Sequence, residues 1–316
     1  MAERPMEWLR WVAVVVAAAA VATVLVLVLR EKDGGPEPVP SSAPNPPNAG
    51  GAPLAVKIDN VAPARPQTGL GAADVLYVEP VEGGLTRLLA LYGSTVPPVV
   101  GPVRSARRTD IDVLAQFGRP TFAYSGAAPQ LLPALHGASL DNASPTEVAG
   151  AYTRDSRRQM PHNLLLQTGR LPGTRSPSEV FERGAAPAGG VSANGHNVDF
   201  PAAKYAFTWS PGARRWLVSL DRSPVVSTDS GPLAMPTVIV QQVRIDATEP
   251  IEDAHGTVSP VAITVGQGTA TVLRDGQRFA GTWSRPDPGS PTRFRTAAGA
   301  PLPVADGPVM VLLVPA

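Results

Sequence analysis

Residues 73–92 read ADVLYVEPVEGGLTRLLALY, and this stretch decides the fold. Residues 73–79 alternate well enough for a strand, and 87–92 form a third strand of the module after the one at 54–58. Gly83-Gly84 between them marks a tight connection. Upstream, residues 54–58 (LAVKI) are a short apolar strand ended by the turn pair Asp59-Asn60. Downstream, Ser105 or Thr109 is placed to cap a helix over 110–117, with Gly118 as its stop. A strand at 121–124 and a short helix at 129–135 follow. Ser176-Pro-Ser-Glu179 has the form of a capping box with proline at the first helical position, opening a helix that ends at Gly184. Strands alternating with helices predict a mixed α/β module over 54–184.

From 185 to 316 the pattern changes. Runs at 206–209 and 216–220 flank Ser210-Pro-Gly212 as a hairpin, and 237–245 is a long β-branched strand. Further strands are expected at 262–265, 269–273, 278–283 and 308–314. Short strands with no helical period predict an all-β module, a sandwich or barrel, so the whole is of the α+β class. Trp209, Trp216 and Trp283 are expected to pack in its core or across strands. Gly266-Gln-Gly268 reads as a hairpin turn, since a dinucleotide loop would need a helix after it.

The N-terminal part is of another kind. Residues 11–29 (WVAVVVAAAAVATVLVLVL) carry no charge, enough apolar helix to span the bilayer and more than the core of a cleavable signal peptide. The run stops after Leu29 at Arg30-Glu31-Lys32-Asp33, and Trp8 and Trp11 suit the interface. Residues 1–33 are therefore expected to be a short cytoplasmic tail and a signal anchor. The flanking charges, Arg4 and Arg10 against Arg30 and Lys32, nearly balance, and the α-amino group tips the tail inward. Residues 34–53, rich in Pro, Gly, Ser, Asn and Ala, are an extended spacer.

Composition excludes several functions. Charged residues make up 17% and the net charge is +1, without the basic excess that phosphate contacts demand of a nucleic-acid binder. With no cysteine there is no disulfide, no thiolate chemistry and no lipid-bearing cysteine. His136, His162, His196 and His255 are scattered without metal-ligand spacing, so no metal is expected, and no cofactor motif occurs.

The segments AVKIDN, ARPQTGL, ADVLYVEPVEGGLTRLLALY, GPVRSARR and MPHN, in this order, resemble the conserved blocks of the YerB-like family of bacterial lipoproteins. The likeness continues through VGQGTATVLRDGQRFAGTW and covers roughly residues 53–316. It implies a surface-exposed, membrane-attached envelope protein of two domains, with no established reaction. The chain departs from the lipoprotein pattern in its missing cysteine, for which residues 11–29 would substitute.

The polar residues of these blocks are the candidate site. Glu79 and Glu82 end a strand before Gly83-Gly84 and Arg87; Arg104, Ser105, Arg107 and Arg108 enter a helix; Arg154, Arg157 and Arg158 precede Pro161-His162-Asn163. Paired in solvent they would be structural charges. Converging at element ends, Glu79, Glu82, Arg87, Arg104, Arg107, His162 and Asn163 would line one polar cleft for an anionic or glycan-like ligand, guanidinium forks matching carboxylates and phosphates. Arg104 and Arg107 would share a face if the helix starts there, with Arg108 pointing elsewhere. Two classes remain: a module binding a wall polymer or an envelope protein through Arg87, Arg104, Ser105, Arg107 and Asn163, or a hydrolase or transferase on a glycan or ester. In the second, Glu79 or Glu82 is the acid/base, with His162 beside it.

Overall fold

A computed structural model describes residues 52–173, 175–177, 179–248 and 256–316. The expected span at 11–29 and the spacer up to residue 51 lie outside the described residues, as does His255. Among the described residues no helix is long and apolar enough to cross a membrane.

The strands expected around the opening stretch form β1 (Leu54–Ile58), β2 (Val75–Pro80) and β3 (Thr86–Tyr92), adjacent in the order β2-β3-β1. Their turn depends on Gly83 and Gly84, both left-handed at φ 67° and 70°. A Cβ on Gly84 would also meet Pro201 Cβ at 2.6 Å, so that position admits only glycine. All residues of β2 and β3 are buried, because both faces of this sheet are covered.

Strands β4 (Val99–Val100), β7 (Tyr152–Arg154) and β8 (Leu164–Gln167) make a small separate sheet. Strands β5 (Thr121–Ala123) and β6 (Asp141–Asn142) extend the main sheet in parallel beyond β1. Helix α1 (Arg108–Leu114) starts two residues earlier than expected and tightens into a 3-10 turn up to Phe117. Helix α2 (Leu132–Gly137) follows a 3-10 turn at Pro129–Leu131.

The second half supplies β9 (Val191–Ser192), β10 (Gly195–Phe200), β11 (Ala203–Ser210), β12 (Arg215–Leu220), β13 (Ser223–Pro224), β14 (Val226–Ser227), β15 (Gly231–Pro232) and β16 (Ala234–Met235). It continues with β17 (Thr237–Asp246), β18 (Val261–Ile263), β19 (Gly266–Arg274), β20 (Gln277–Arg285), β21 (Arg293–Thr296) and β22 (Val309–Pro315). Its mostly-β character matches expectation; a sandwich or barrel closed within this half does not form. Strand β22 sits between β17 and β2, parallel to both, so one large sheet runs β21-β20-β19-β17-β22-β2-β3-β1-β5-β6. Residues 309–313 of β22 and 75–78 of β2 are all buried, and this apolar run on both faces favours the central place over an edge.

Side-chain parity sorts the core into two layers. Leu54, Val56, Ile58, Leu76, Val78, Leu88 and Ala90 face the β10-β11-β12 sheet with its Phe207 and Trp216. Ala55, Val75, Tyr77, Leu89 and Leu91 face Val113, Leu114 and Phe117 of the helical side. Trp209 pairs across the hairpin with buried Trp216, ring centroids 5.3 Å apart. Trp283 is buried and donates to Gln242 O at 2.8 Å. All three tryptophans thus pack as expected.

Two local expectations fail. Gly266-Gln-Gly268 is the start of β19, paired with β20, and not a turn. A Cβ on Gly268 would lie 2.6 Å from Trp283 Nε1, so the glycine clears room for the indole. No helix forms among the described residues of 176–184. There the adjacent Val180 and Phe181 are both buried, Phe181 against Phe294, which holds the segment extended across the core.

Candidate functional site

The same parity that builds the core puts charge inside it. On β1 the position after Ala55 on the helical face is Lys57; on β2 the position after Tyr77 is Glu79, whose register partner on β3 is Arg87. Asp110, in the first turn of α1, descends onto the same face. Lys57, Glu79 and Asp110 are all fully buried. Lys57 Nζ donates to Glu79 Oε2 and, at 2.7 Å, to Asp110 Oδ1. Asp110 Oδ2 accepts the Arg107 backbone N–H, one arm of a capping box. Glu79 Oε1 is buried and, among the described residues, has no hydrogen-bond partner. Burial and the neighbouring Asp110 push the Glu79 carboxyl up to about 8, against the opposing pull of Lys57.

Above this cluster the segment 101–106 runs extended beside the end of β1: Asp59 donates its N–H to Pro102 O and Arg104 to Lys57 O, both at 2.8 Å. That pairing places Arg104 opposite Asp59. It also corrects the helical reading of this segment: Arg104 and Arg107 share no helix face, because backbone pairing with β1 holds Arg104 in a strand-like conformation. Arg107 caps α1, and Arg108 turns along it to Asp112 at 3.2 Å.

A cavity of about 280 Å³ opens here, lined by Asp59, Glu82, Thr86, Arg87, Arg104 and Thr257 among others. Glu82 is clamped by Arg107, Nε to Oε1 at 2.6 Å and Nη2 to Oε2 at 2.9 Å, and Ser259 Oγ donates to the same Oε1. Burial alone would raise the Glu82 carboxyl, but the Arg107 fork, Ser259 and Arg87 outweigh it and hold the group below its ordinary value. Arg87 reaches this occupied carboxylate only at 3.9 Å; among the described residues its hydrogen bond goes to Ser105 O at 3.2 Å. Burial and the cations Arg107 and Arg104 lower Arg87 to about 10. Asp59 is equally engaged: Oδ2 meets His162 Nδ1 at 2.7 Å and Arg104 Nε at 3.1 Å, and Oδ1 accepts the Asn60 N–H. The Arg104 contact is an ion pair out of hydrogen-bonding alignment, which leaves Nε buried without an acceptor. Three guanidiniums thus meet two carboxylates whose oxygens are already taken.

The expected residues therefore divide. Glu82, Arg87 and Arg104 line the cavity, Arg107 holds Glu82, and His162 holds Asp59. Glu79 does not line it, lying fully buried with Lys57 because its strand position points inward. Asn163 ties the 155–163 turn, accepting from Arg154 at 2.7 Å and donating to Arg158 O at 3.2 Å. The Ser105 side chain sits 3.4 Å from Ser125 Oγ, and its carbonyl serves Arg87. A second cleft of about 390 Å³, lined by Arg104, Ser125, Tyr152, Arg154 and Pro161, lies on the other side of Arg104. Among the described residues no group of three His, Asp or Glu is placed to hold a metal.

Sequence reasoning missed Lys57, Asp59, Asp110 and Ser259. One signal was there: Lys57 interrupts the otherwise apolar LAVKI, and a lysine in a core strand needs a partner. Asn60, which donates to Thr86 and to Tyr205 OH at 2.9 and 2.7 Å, joins the floor of the site to β11 and gave no sequence signal.

Residues 41–179 match the model for the N-terminal domain of a protein of unknown function, DUF3048, and residues 196–311 match its C-terminal domain. The curated "Putative lipoprotein YerB" of Bacillus subtilis is 35% identical over 112 residues, 35% of this chain and 34% of that protein, so the matched stretch spans about a third of the relative. The crystal structure of the YerB protein from Bacillus subtilis superposes with a TM-score of 0.71 at 21% identity, over 84% of this chain and 92% of that one, a likeness of fold. With both domain models matched in order and the fold shared, the chain belongs to the YerB-like family, whose function is unknown.

Proposed function

We propose that the chain is a membrane-anchored envelope protein, held by residues 11–29 with its bulk outside the cytoplasm, and that its 280 Å³ cavity receives the anionic group of an envelope ligand. Similarity to a protein described as a lipoprotein supports the location. An apolar run in a chain without cysteine supports a helical rather than a lipid anchor.

The observation that carries the binding reading is the state of Arg87 and Arg104. Both border the cavity, and the carboxylates nearest them are already committed to Arg107, Ser259 and His162. Buried guanidinium donors gain most from a ligand carboxylate or phosphate, which supplies charge and paired acceptors together. Acid–base catalysis finds less support. Glu82 is held ionised with both oxygens engaged, and Glu79 is sealed from the cavity, so neither is poised to exchange a proton with a substrate.

Calorimetric titration of the detergent-solubilised full chain with inorganic phosphate, acetate and a neutral disaccharide tests this reading. The anions should bind, and their affinity should fall at least about tenfold in Arg104→Ala while the circular dichroism spectrum is kept. Equal binding of the neutral sugar by both proteins would refute it.

A further inference from the structure

Cation and carboxylates beneath the cavity are arranged for more than an ion pair. We propose that Lys57 and Asp110 become joined by an intramolecular isopeptide bond, formed autocatalytically with Glu79 as the proton relay. Three elements, β1, β2 and α1, bring the three groups together with no exposure to solvent. Nζ of Lys57 touches both carboxyls, at 2.7 Å in the case of Asp110 Oδ1. Such a contact holds the amine against the carboxyl group, so condensation is an intramolecular step.

Charge supplies the driving force. One ammonium between two carboxylates would leave a buried excess of negative charge, which protonation of Glu79 relieves, and the balanced ion pair of Lys57 with Asp110 that remains bears a large desolvation cost. Amide formation removes both ionic partners and expels one water from a site that otherwise excludes it. Glu79 is held up to about 8 by burial and by Asp110, so near neutral pH it carries a proton to lend. Its Oε1, without a partner, is where that proton can reside.

In the neutral microstate Lys57 is an amine and both carboxyls are protonated, the same number of protons as with Lys57 an ammonium, Asp110 a carboxylate and Glu79 already protonated. Nζ attacks Cγ of Asp110. A proton from Nζ passes to Glu79, which returns one to the departing Oδ1 hydroxyl. The Nζ–Cγ bond forms, the Cγ–Oδ1 bond breaks, water leaves, and Glu79 ends protonated as it began. Asp110 Oδ2 becomes the amide oxygen. It already accepts the Arg107 N–H, a fixed donor for the oxyanion that develops on it. Glu79 has no such donor on Oε1, which makes Asp110 the acceptor and Glu79 the relay. The product is a covalent tie between β1 and α1 in a chain with no cysteine for a disulfide.

Mass spectrometry of the denatured full chain, followed by tryptic mapping, decides the matter. The expected mass is that of the sequence less one water, with trypsin unable to cut at Lys57 and a branched peptide linking Lys57 to Asp110. Glu79→Gln should restore the full mass and linear peptides. A wild-type chain of full mass, cut normally at Lys57, overturns the proposal, as does a branch ending on Glu79. The wild-type measurement decides alone should the variant not fold.

Discussion

Arg285 and Arg87 are both buried guanidiniums, one from each half of the chain, and their surroundings differ in kind. Arg285 is fully buried, and among the described residues no carboxylate is bonded to it. Its donors all land on fixed oxygens: Ser290 O at 3.1 Å, Thr264 Oγ1 at 2.9 Å, and the carbonyls of Asp112 and Pro288. Arg87 has a committed carboxylate at 3.9 Å, a hydrogen bond to Ser105 O and a cavity in front of it. A buried cation whose donors are used up is part of the scaffold. One whose acceptors have been claimed by others is prepared for a ligand.

The sharpest way to break this contrast is Arg285→Ala. It strands the carbonyls that Arg285 satisfied, at about 1–3 kcal/mol for each buried acceptor left unmade, so a loss of roughly 3 kcal/mol or more is expected in urea unfolding. Anion binding by the folded fraction should not change. Arg87→Ala and Arg104→Ala should reverse the pattern. Charge-assisted hydrogen bonds contribute about 1.5–3 kcal/mol, so calorimetry should read a tenfold or greater loss of affinity for phosphate. Wild-type affinity in both variants would erase the distinction between the two arginines.

A smaller effect is expected from acid. The Glu82 carboxyl is held below its ordinary value of 4.5, so its contribution is complete above that pH and is lost as pH falls through the folded value. Urea midpoints should therefore decline below about pH 4.5, and the decline should be shallower in Glu82→Gln; equal slopes would show that the Arg107 clamp is not the cause. The smallest effect belongs to Arg108, three residues beyond Ser105. Its ion pair with Asp112 is partly exposed, and Arg108→Ala should change stability by no more than about 0.5 kcal/mol and leave binding intact.

Much of this contrast was readable in part. Residues 54–58, 73–92, 206–220, 237–245 and 308–314 gave strands close to those observed, because a two-residue period and turn glycines are local properties of the chain. Glu82, Arg87 and Arg104 were legible as site candidates because they flank turns, where side chains converge outside the core. The capping box at 176–179 misled, because the burial of Val180 and Phe181 outweighs a local helical preference.

What the sequence determined by itself was the strands β1 to β3, β5, β11, β12, β17 to β20 and β22, the two short helices of the first half, and the absence of cysteine chemistry; the small β4-β7-β8 sheet, β10 and β21 it did not show. Only the tertiary structure decided that β22 inserts between β17 and β2, that Glu79 turns inward to Lys57 and Asp110, and that Arg107 rather than Arg87 takes Glu82. The reason is the range of the interactions. Periodicity and capping act over a few residues, whereas sheet order and the partner of a buried charge depend on which distant strand or helix closes over it. Lys57 and Asp110 lie 53 positions apart and Glu82 and Ser259 lie 177 apart, separations over which no local pattern carries information.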